Sequence, residues 1–213
     1  MKVLLLFLTF LKTCDGFTFQ ASNNKKSFVS TSTLRMSESD GKITIYLGCD
    51  GFGQDLLNST KEHLQTKGNI IIEDLGCDTY YDAAASVAKK VSNQNPNSKL
   101  GVLFCGTGMG VGMVANKFAG VRAATCENVD TAINSRAVNN ANVLCLGGLV
   151  TKKEVAVDIV DAFLKQQFIQ RPCNCAGEPA PWWNGDVETF LATSMEGIQR
   201  VEKEASLLAD TNK

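Results

Sequence analysis

The chain has 213 residues, 44% of them apolar, and its 21 basic and 22 acidic side chains leave a net charge of -1. That is the balance of an ordinary globular protein, long enough for one main domain with a sizeable core. No basic excess points to nucleic acid, and no run of like charge points to a membrane surface.

Residues 1–41 read as a leader. Lys2 precedes an apolar run over residues 3–11, a signal-peptide pattern too short to span a bilayer. Residues 17–37 are rich in Ser, Thr and Asn, carry Lys25, Lys26 and Arg35, and contain no acidic residue, as a transit peptide does. The combination resembles the bipartite plastid leader of algae with complex plastids, with Phe17 after the first cleavage and Leu34-Arg35-Met36 ending the transit part. The expected destination is the plastid, with no membrane span in the mature form. Plain secretion with a disordered spacer is the alternative.

Strands and helices then alternate. Residues 43–49 read as a strand, 55–67 as a helix, 69–75 as a strand and 83–93 as a helix. The strand 100–105, helix 111–118, strand 121–126, helix 130–137 and strand 142–146 continue the series. Residues 152–166 close it as a helix, with Val155, Ile159, Val160, Phe163 and Leu164 at helical spacing. Such β-α units predict an α/β fold, a Rossmann-like three-layer α/β/α arrangement with a five-stranded parallel sheet and right-handed crossovers. Residues 167–185 hold three of the four prolines with Trp182 and Trp183 and read as an irregular arm; 186–209 read as an amphipathic helix. The predicted organisation is a leader (1–41), an α/β domain (42–166) and a C-terminal arm and helix (167–213).

Of eight cysteines, Cys49, Cys105, Cys126 and Cys145 lie on or at the ends of apolar runs, as small buried hydrophobes do. That is not the spacing of a disulfide scaffold. Cys173-Asn174-Cys175 is the only close pair and a poor zinc signature, and His63 is the sole histidine, so no metal or cofactor is expected.

The segment 102–112 is the most informative. An apolar run ends at Cys105 and opens into a loop with Gly106, Gly108, Gly110 and Gly112 at every second position. The end of a buried parallel strand is where open α/β sheets bind ligands, and a thiol against a helix N-terminus is favoured as thiolate. The segment offers a base or nucleophile beside backbone donors for an oxyanion; the plainer reading is a buried cysteine before a tight turn. The glycines do not match the dinucleotide fingerprint or the P-loop. One trace of a dinucleotide site is Glu127, about twenty residues on.

These residues carry a resemblance. The body is similar to the ribose-5-phosphate isomerase B family, which includes the galactose-6-phosphate isomerase subunits. The shared marks are Gly48-Cys49-Asp50, Asp74-Leu75-Gly76, Cys105-Gly106-Thr107-Gly108, Ala115-Asn116-Lys117, Gly120-Val121-Arg122-Ala123, Asn139 and Asn142-Val143-Leu144. Closer still is the isomerase-like domain of a plant plastid protein linked to DNA-damage tolerance, through Thr79-Tyr80-Tyr81 and Pro181-Trp182.

The resemblance implies an aldose–ketose isomerase that acts on a phosphorylated sugar through an enediolate, with a place in pentose phosphate metabolism. Cys105 would be the base and Thr107 would assist. The N–H groups from Gly108 to Gly112 would form the oxyanion hole beside Gly106. Asp50 and Tyr80 would bind the sugar. Asn139 would touch the sugar and Arg122 the phosphate, in a site shared across a homodimer. Two departures bear on the chemistry: Gly51 stands where the family usually has a histidine, and Val138 replaces the ring-opening histidine. The family's two later phosphate arginines are unmatched, since Arg171 is followed by Pro172. A phosphate-sugar-binding protein without turnover is therefore the alternative, and a redox or thiol-reactive sensor a third reading. His63 is expected to be a solvated surface residue.

Overall fold

The structure is a computed structural model that describes residues 42–92 and 94–211; the expected leader lies outside the described residues. In chain order the elements are β1 (Ile43–Cys49), α1 (Gln54–Gln65), β2 (Ile70–Cys77), α2 (Tyr80–Val91), β3 (Lys99–Cys105), α3 (Met109–Ala115), β4 (Ala123–Thr125), α4 (Val129–Ala137), β5 (Val143–Gly147), α5 (Lys153–Lys165) and α6 (Gly185–Thr211). Each expected element is present, and the boundaries move for local reasons. Helix α2 starts at Tyr80, three residues early, because the Thr79 hydroxyl accepts the Asp82 amide at 3.2 Å and caps it. Strand β4 is only three residues long: the Val121 amide turns back to Phe118 and the Arg122 amide donates to the Asn142 side chain instead of a ladder.

All strand pairs are parallel, in the order β2-β1-β3-β5-β4. From β1 the chain steps to β2 on one side and then to β3 on the other. The order therefore reverses between β1 and β3, and the crevice beyond their C-terminal ends is the expected ligand position in such a sheet.

Both faces of the sheet are covered at its centre, which is why β1, β3 and β5 read as largely apolar runs, while edge strand β2 carries Glu73 and Asp74. Alternate residues serve different layers. Ile45, Leu47, Val102, Phe104, Leu144 and Leu146 pack with Leu57 and Leu64 of α1 and Ile159 and Phe163 of α5. Tyr46, Leu103, Cys105, Val143 and Cys145 pack on the opposite face with Val87 and Val91 of α2 and Val111 of α3.

One buried cation ties the layers together. Arg136 of α4 is 2% exposed and donates to three carbonyls: Ala141 at 2.6 Å, Gln166 at 3.3 Å and Pro96 at 3.3 Å. Its guanidinium lies 5.4 Å from the centre of the Phe163 ring. Burial, with Arg122 nearby, lowers its pKa to about 10.

The arm after α5 is irregular, with one antiparallel bridge between Cys173 and Pro179. Arg171 is taken up locally, donating twice to the Ala180 carbonyl at 3.1 and 2.8 Å. Trp183 and Leu191 bury themselves against Ala137, with Val138, Phe168 and Ile169 packed around them. The Trp183 indole donates to Glu188 at 2.6 Å and so fixes the start of α6.

Candidate functional site

Cys105 closes β3 with its side chain on the α2/α3 face, buried to 4% exposure. Beyond it the chain must turn at once into α3. Gly108 makes that turn in the left-handed region, with φ 78° and ψ -19°, where a residue with a Cβ is strained. The turn aims the Gly108 amide at the Cys105 sulfur, N···Sγ 3.1 Å. The loop thus sets a backbone donor directly on the sulfur of a buried side chain. The β5 loop braces it, with Gly148 N–H donating to the Cys105 carbonyl at 2.7 Å and Leu149 N–H to the Gly106 carbonyl at 2.9 Å.

Several of the expected oxyanion donors are already engaged. Gly108 N–H is held by the thiol, Met109 N–H by the Thr107 hydroxyl at 3.3 Å, and Gly112 N–H by the Gly108 carbonyl at 3.3 Å. The first turn of α3 leaves the amides of Gly110 and Val111, which precede the first intrahelical bond. Thr107 is exposed at the mouth of the loop.

Asp50 follows β1 on the neighbouring strand, its amide bonded to the Phe104 carbonyl at 3.0 Å. One carboxylate oxygen, Oδ1, accepts from Phe52 N–H at 2.9 Å and Gly53 N–H at 3.1 Å. Among the described residues nothing donates to Oδ2, so one oxygen is available to a ligand while the other fixes the loop. Tyr80, read as a substrate-loop residue, is instead the first residue of α2. Its ring lies over the Cys105 loop, 3.1 Å from where a Cβ on Gly110 would stand.

Arg122 and Asn139 are placed elsewhere. Arg122 precedes β4 and Asn139 precedes β5, at the edge where the strands begin, whereas Cys105 and Asp50 lie where they end. Both line a depression of about 400 Å3 with Asn116, Ile198 and Glu202. The Arg122 guanidinium donates to the Asn140 carbonyl at 2.7 Å and the Gly120 carbonyl at 3.4 Å. Burial lowers its pKa and the Glu202 carboxylate partly opposes that. Within one chain the expected site is thus two half-sites.

His63 is not the freely solvated residue expected. Its Nε2 lies 2.9 Å from Asp161 Oδ1 and Lys67 donates to Oδ2 at 3.0 Å, so it bridges α1 to α5. Gly51 is in open space, with nothing within 4 Å of a Cβ added there. Val138 caps α4 and is packed into the Trp183 cluster. Sequence reasoning missed Phe52 and Leu149, which flank Gly106, and are 67% and 68% exposed. The Gly147-Gly148 pair at the end of β5 was the available signal for the second.

Comparison with known proteins places the chain in a family. The family model described as Ribose/Galactose Isomerase matches residues 45–174. The DNA damage-repair/toleration protein DRT102 of Arabidopsis thaliana is 38% identical over 179 residues, covering 84% of this chain and 56% of that protein. The chain therefore spans little more than half of that relative's length. Ribose-5-phosphate isomerase B of Escherichia coli K12 is 38% identical over 128 residues, 58% of this chain and 85% of the other. The crystal structure of ribose-5-phosphate isomerase B from Mycoplasma genitalium with bound ribulose-5-phosphate superposes with a TM-score of 0.62 at 36% identity. That likeness covers 76% of this chain and 97% of that one. The family match begins inside β1 and runs past α5, so Asp50, Cys105, Arg122 and Asn139 all fall within it, and the chain belongs to the ribose/galactose isomerase family.

Proposed function

We propose that the protein is a sugar-phosphate aldose–ketose isomerase of the ribose-5-phosphate isomerase B type. The observation that carries the reading is the Gly108 amide 3.1 Å from the Cys105 sulfur at the switch point of the sheet. Cys105 removes the proton from the carbon beside the substrate carbonyl and returns it to the neighbouring carbon. The enediolate oxygen formed in between takes hydrogen bonds from the Gly110 and Val111 amides, and Thr107 assists at the mouth. Asp50 Oδ2 receives the sugar hydroxyls, and the Tyr80 ring walls the pocket. A second copy of the chain supplies Asn139 to the sugar and Arg122 to the phosphate, which makes the working form a homodimer. The leader carries the protein to the plastid, where it takes part in pentose phosphate metabolism.

A second reading is favoured by the position of the one histidine. His63 is engaged with Asp161 between α1 and α5, and Gly51 and Val138 hold no proton shuttle for ring opening. On that reading the site binds phosphorylated sugars with turnover impaired.

The test uses purified protein with ribose 5-phosphate conversion and solvent exchange of the C1 protons of ribulose 5-phosphate as two readouts. The isomerase should catalyse both, and Cys105→Ser should lower both by at least ~10²-fold, as expected on removal of a general base. Near-normal rates in that variant rule out Cys105 as the base. Saturable binding of either sugar without conversion or exchange establishes the second reading.

A further inference from the structure

Away from the Cys105 loop, two thiols meet at the ends of the first strand pair. Strands β1 and β2 run in register from Ile43↔Ile70 to Leu47↔Asp74, then slip, so that Cys49 stands opposite Cys77. Neighbouring strands lie about 4.8 Å apart, inside the Cα separation of roughly 4.4–6.8 Å that a disulfide spans. Both are free thiols, Cys49 buried and Cys77 exposed. They already interact: after burial, Cys77 is the strongest influence on the Cys49 thiol, which is pushed up to about 12. The Asp78 amide donates to the Cys49 carbonyl at 3.0 Å, so the two strand ends are tied on the backbone side as well.

We propose that Cys49 and Cys77 form a reversible redox site, in which a hydroperoxide oxidises the pair to a disulfide and thereby slows turnover at the neighbouring Cys105 site. Exposed Cys77 reacts first. Its sulfur attacks the peroxide O–O bond, which breaks to give a sulfenic acid on Cys77 and one molecule of water, or of alcohol from an organic peroxide. The Cys49 sulfur then attacks that sulfur: the S–S bond forms, the S–O bond breaks, and hydroxide leaves with the Cys49 proton as water. The two thiols lose two electrons and the peroxide gains two.

The effect on the site follows from sequence neighbours. Asp50 follows Cys49, and Thr79 and Tyr80 follow Cys77 by two and three positions. Closing the S–S bond fixes the side-chain rotamers of both cysteines and restrains the backbone at both strand ends, and that restraint passes to the free oxygen of Asp50 and the ring of Tyr80. Cys105 cannot replace Cys77, because Cys49 packs on the α1/α5 face of the sheet and Cys105 on the other, and it cannot replace Cys49, because β3 and β2 lie on opposite sides of β1.

The full chain is treated with graded hydrogen peroxide, remaining thiols are blocked, and the protein is digested with trypsin without reduction. Lys61 and Lys67 lie between the two cysteines, so a cross-linked peptide identifies the bond. That peptide should appear at low dose and vanish with dithiothreitol. Ribose 5-phosphate turnover should fall on the order of 10-fold in parallel and recover on reduction, whereas Cys77→Ser should keep its turnover at the same dose. Conversion of Cys77 to sulfinic acid with Cys49 still free overturns the site. Formation of the peptide with turnover unchanged overturns its link to catalysis. The activity arm rests on the proposed function; in a chain that turns over no substrate, the redox site stands or falls on the peptide alone.

Discussion

Substitution of Gly108 by alanine tests the geometry of the Cys105 loop most directly. Its backbone is left-handed, at φ 78°, which costs an ordinary L residue about 1–2 kcal/mol. The added Cβ would also stand 3.0 Å from the Leu146 carbonyl carbon, 3.1 Å from Thr125 Cγ2 and 3.2 Å from the Gly147 nitrogen. Two of those three neighbours are backbone of β5 and cannot swing aside, so overpacking adds about 1–3 kcal/mol. The expected loss in urea unfolding is therefore roughly 2–5 kcal/mol. Gly177→Ala separates the two contributions, because Gly177 shares the left-handed φ, at 81°, with nothing within 4 Å of its Cβ. It should lose only the first, about 1–2 kcal/mol. Equal losses in the two variants would mean that the Cys105 loop is not seated against β5, and the account of the site would fail with it.

Histidine placed at Gly51, where there is open space, should raise the rate on closed-ring ribose 5-phosphate without changing C1 proton exchange of ribulose 5-phosphate, by up to ~10²-fold if ring opening is limiting. Val138→His should do the same but lose about 1–2 kcal/mol in thermal or urea unfolding, because it puts an imidazole into the Trp183 cluster; an equal rise in exchange would refute the assignment to ring opening. Arg136→Lys should cost about 2–4 kcal/mol in urea unfolding, since one ammonium cannot serve the three buried carbonyls of Pro96, Ala141 and Gln166. Asp74 gives a pH signature: burial pushes its carboxyl up, but hydrogen bonds from Lys61 and the Gly76 amide outweigh this and hold it below the usual value. A folded pKa below the unfolded one stabilises above pH ~4 and is lost as pH falls through the folded value. Asp74→Asn should thus lose about 0.5–1 kcal/mol at pH 7, and the difference from the parent should shrink as pH falls through the folded value, as read from urea midpoints.

The strands were legible because a parallel sheet covered on both faces leaves its apolar runs unbroken, as in residues 100–105. Cys105 and its glycines were legible for a related reason, since a strand end that must turn tightly leaves its need for glycine in the sequence. Contacts that depend on register or on distant segments left no such trace. Arg136 reads as an ordinary polar helix residue until Pro96 and Gln166 are brought to it. The docking of Trp183 and Leu191 on Ala137 has no local periodicity to announce it. The pairing of Cys49 with Cys77 depends on a slip in the β1–β2 register that spacing cannot supply. His63 read as solvated because its partner, Asp161, is 98 residues away.

The placement of Cys105 where the strands end and of Asn139 where they begin has a genetic consequence. In the proposed dimer, a lesion at either edge would damage a different half of each site. Every site there draws one half from each chain, so a mixed dimer of two defective chains keeps one site untouched while concentrating both lesions in the other. Two loss-of-function alleles, one lacking the Cys105 thiol and one lacking the Asn139 amide, would then complement each other in the same cell, a behaviour closed to any enzyme whose site is contained within a single chain.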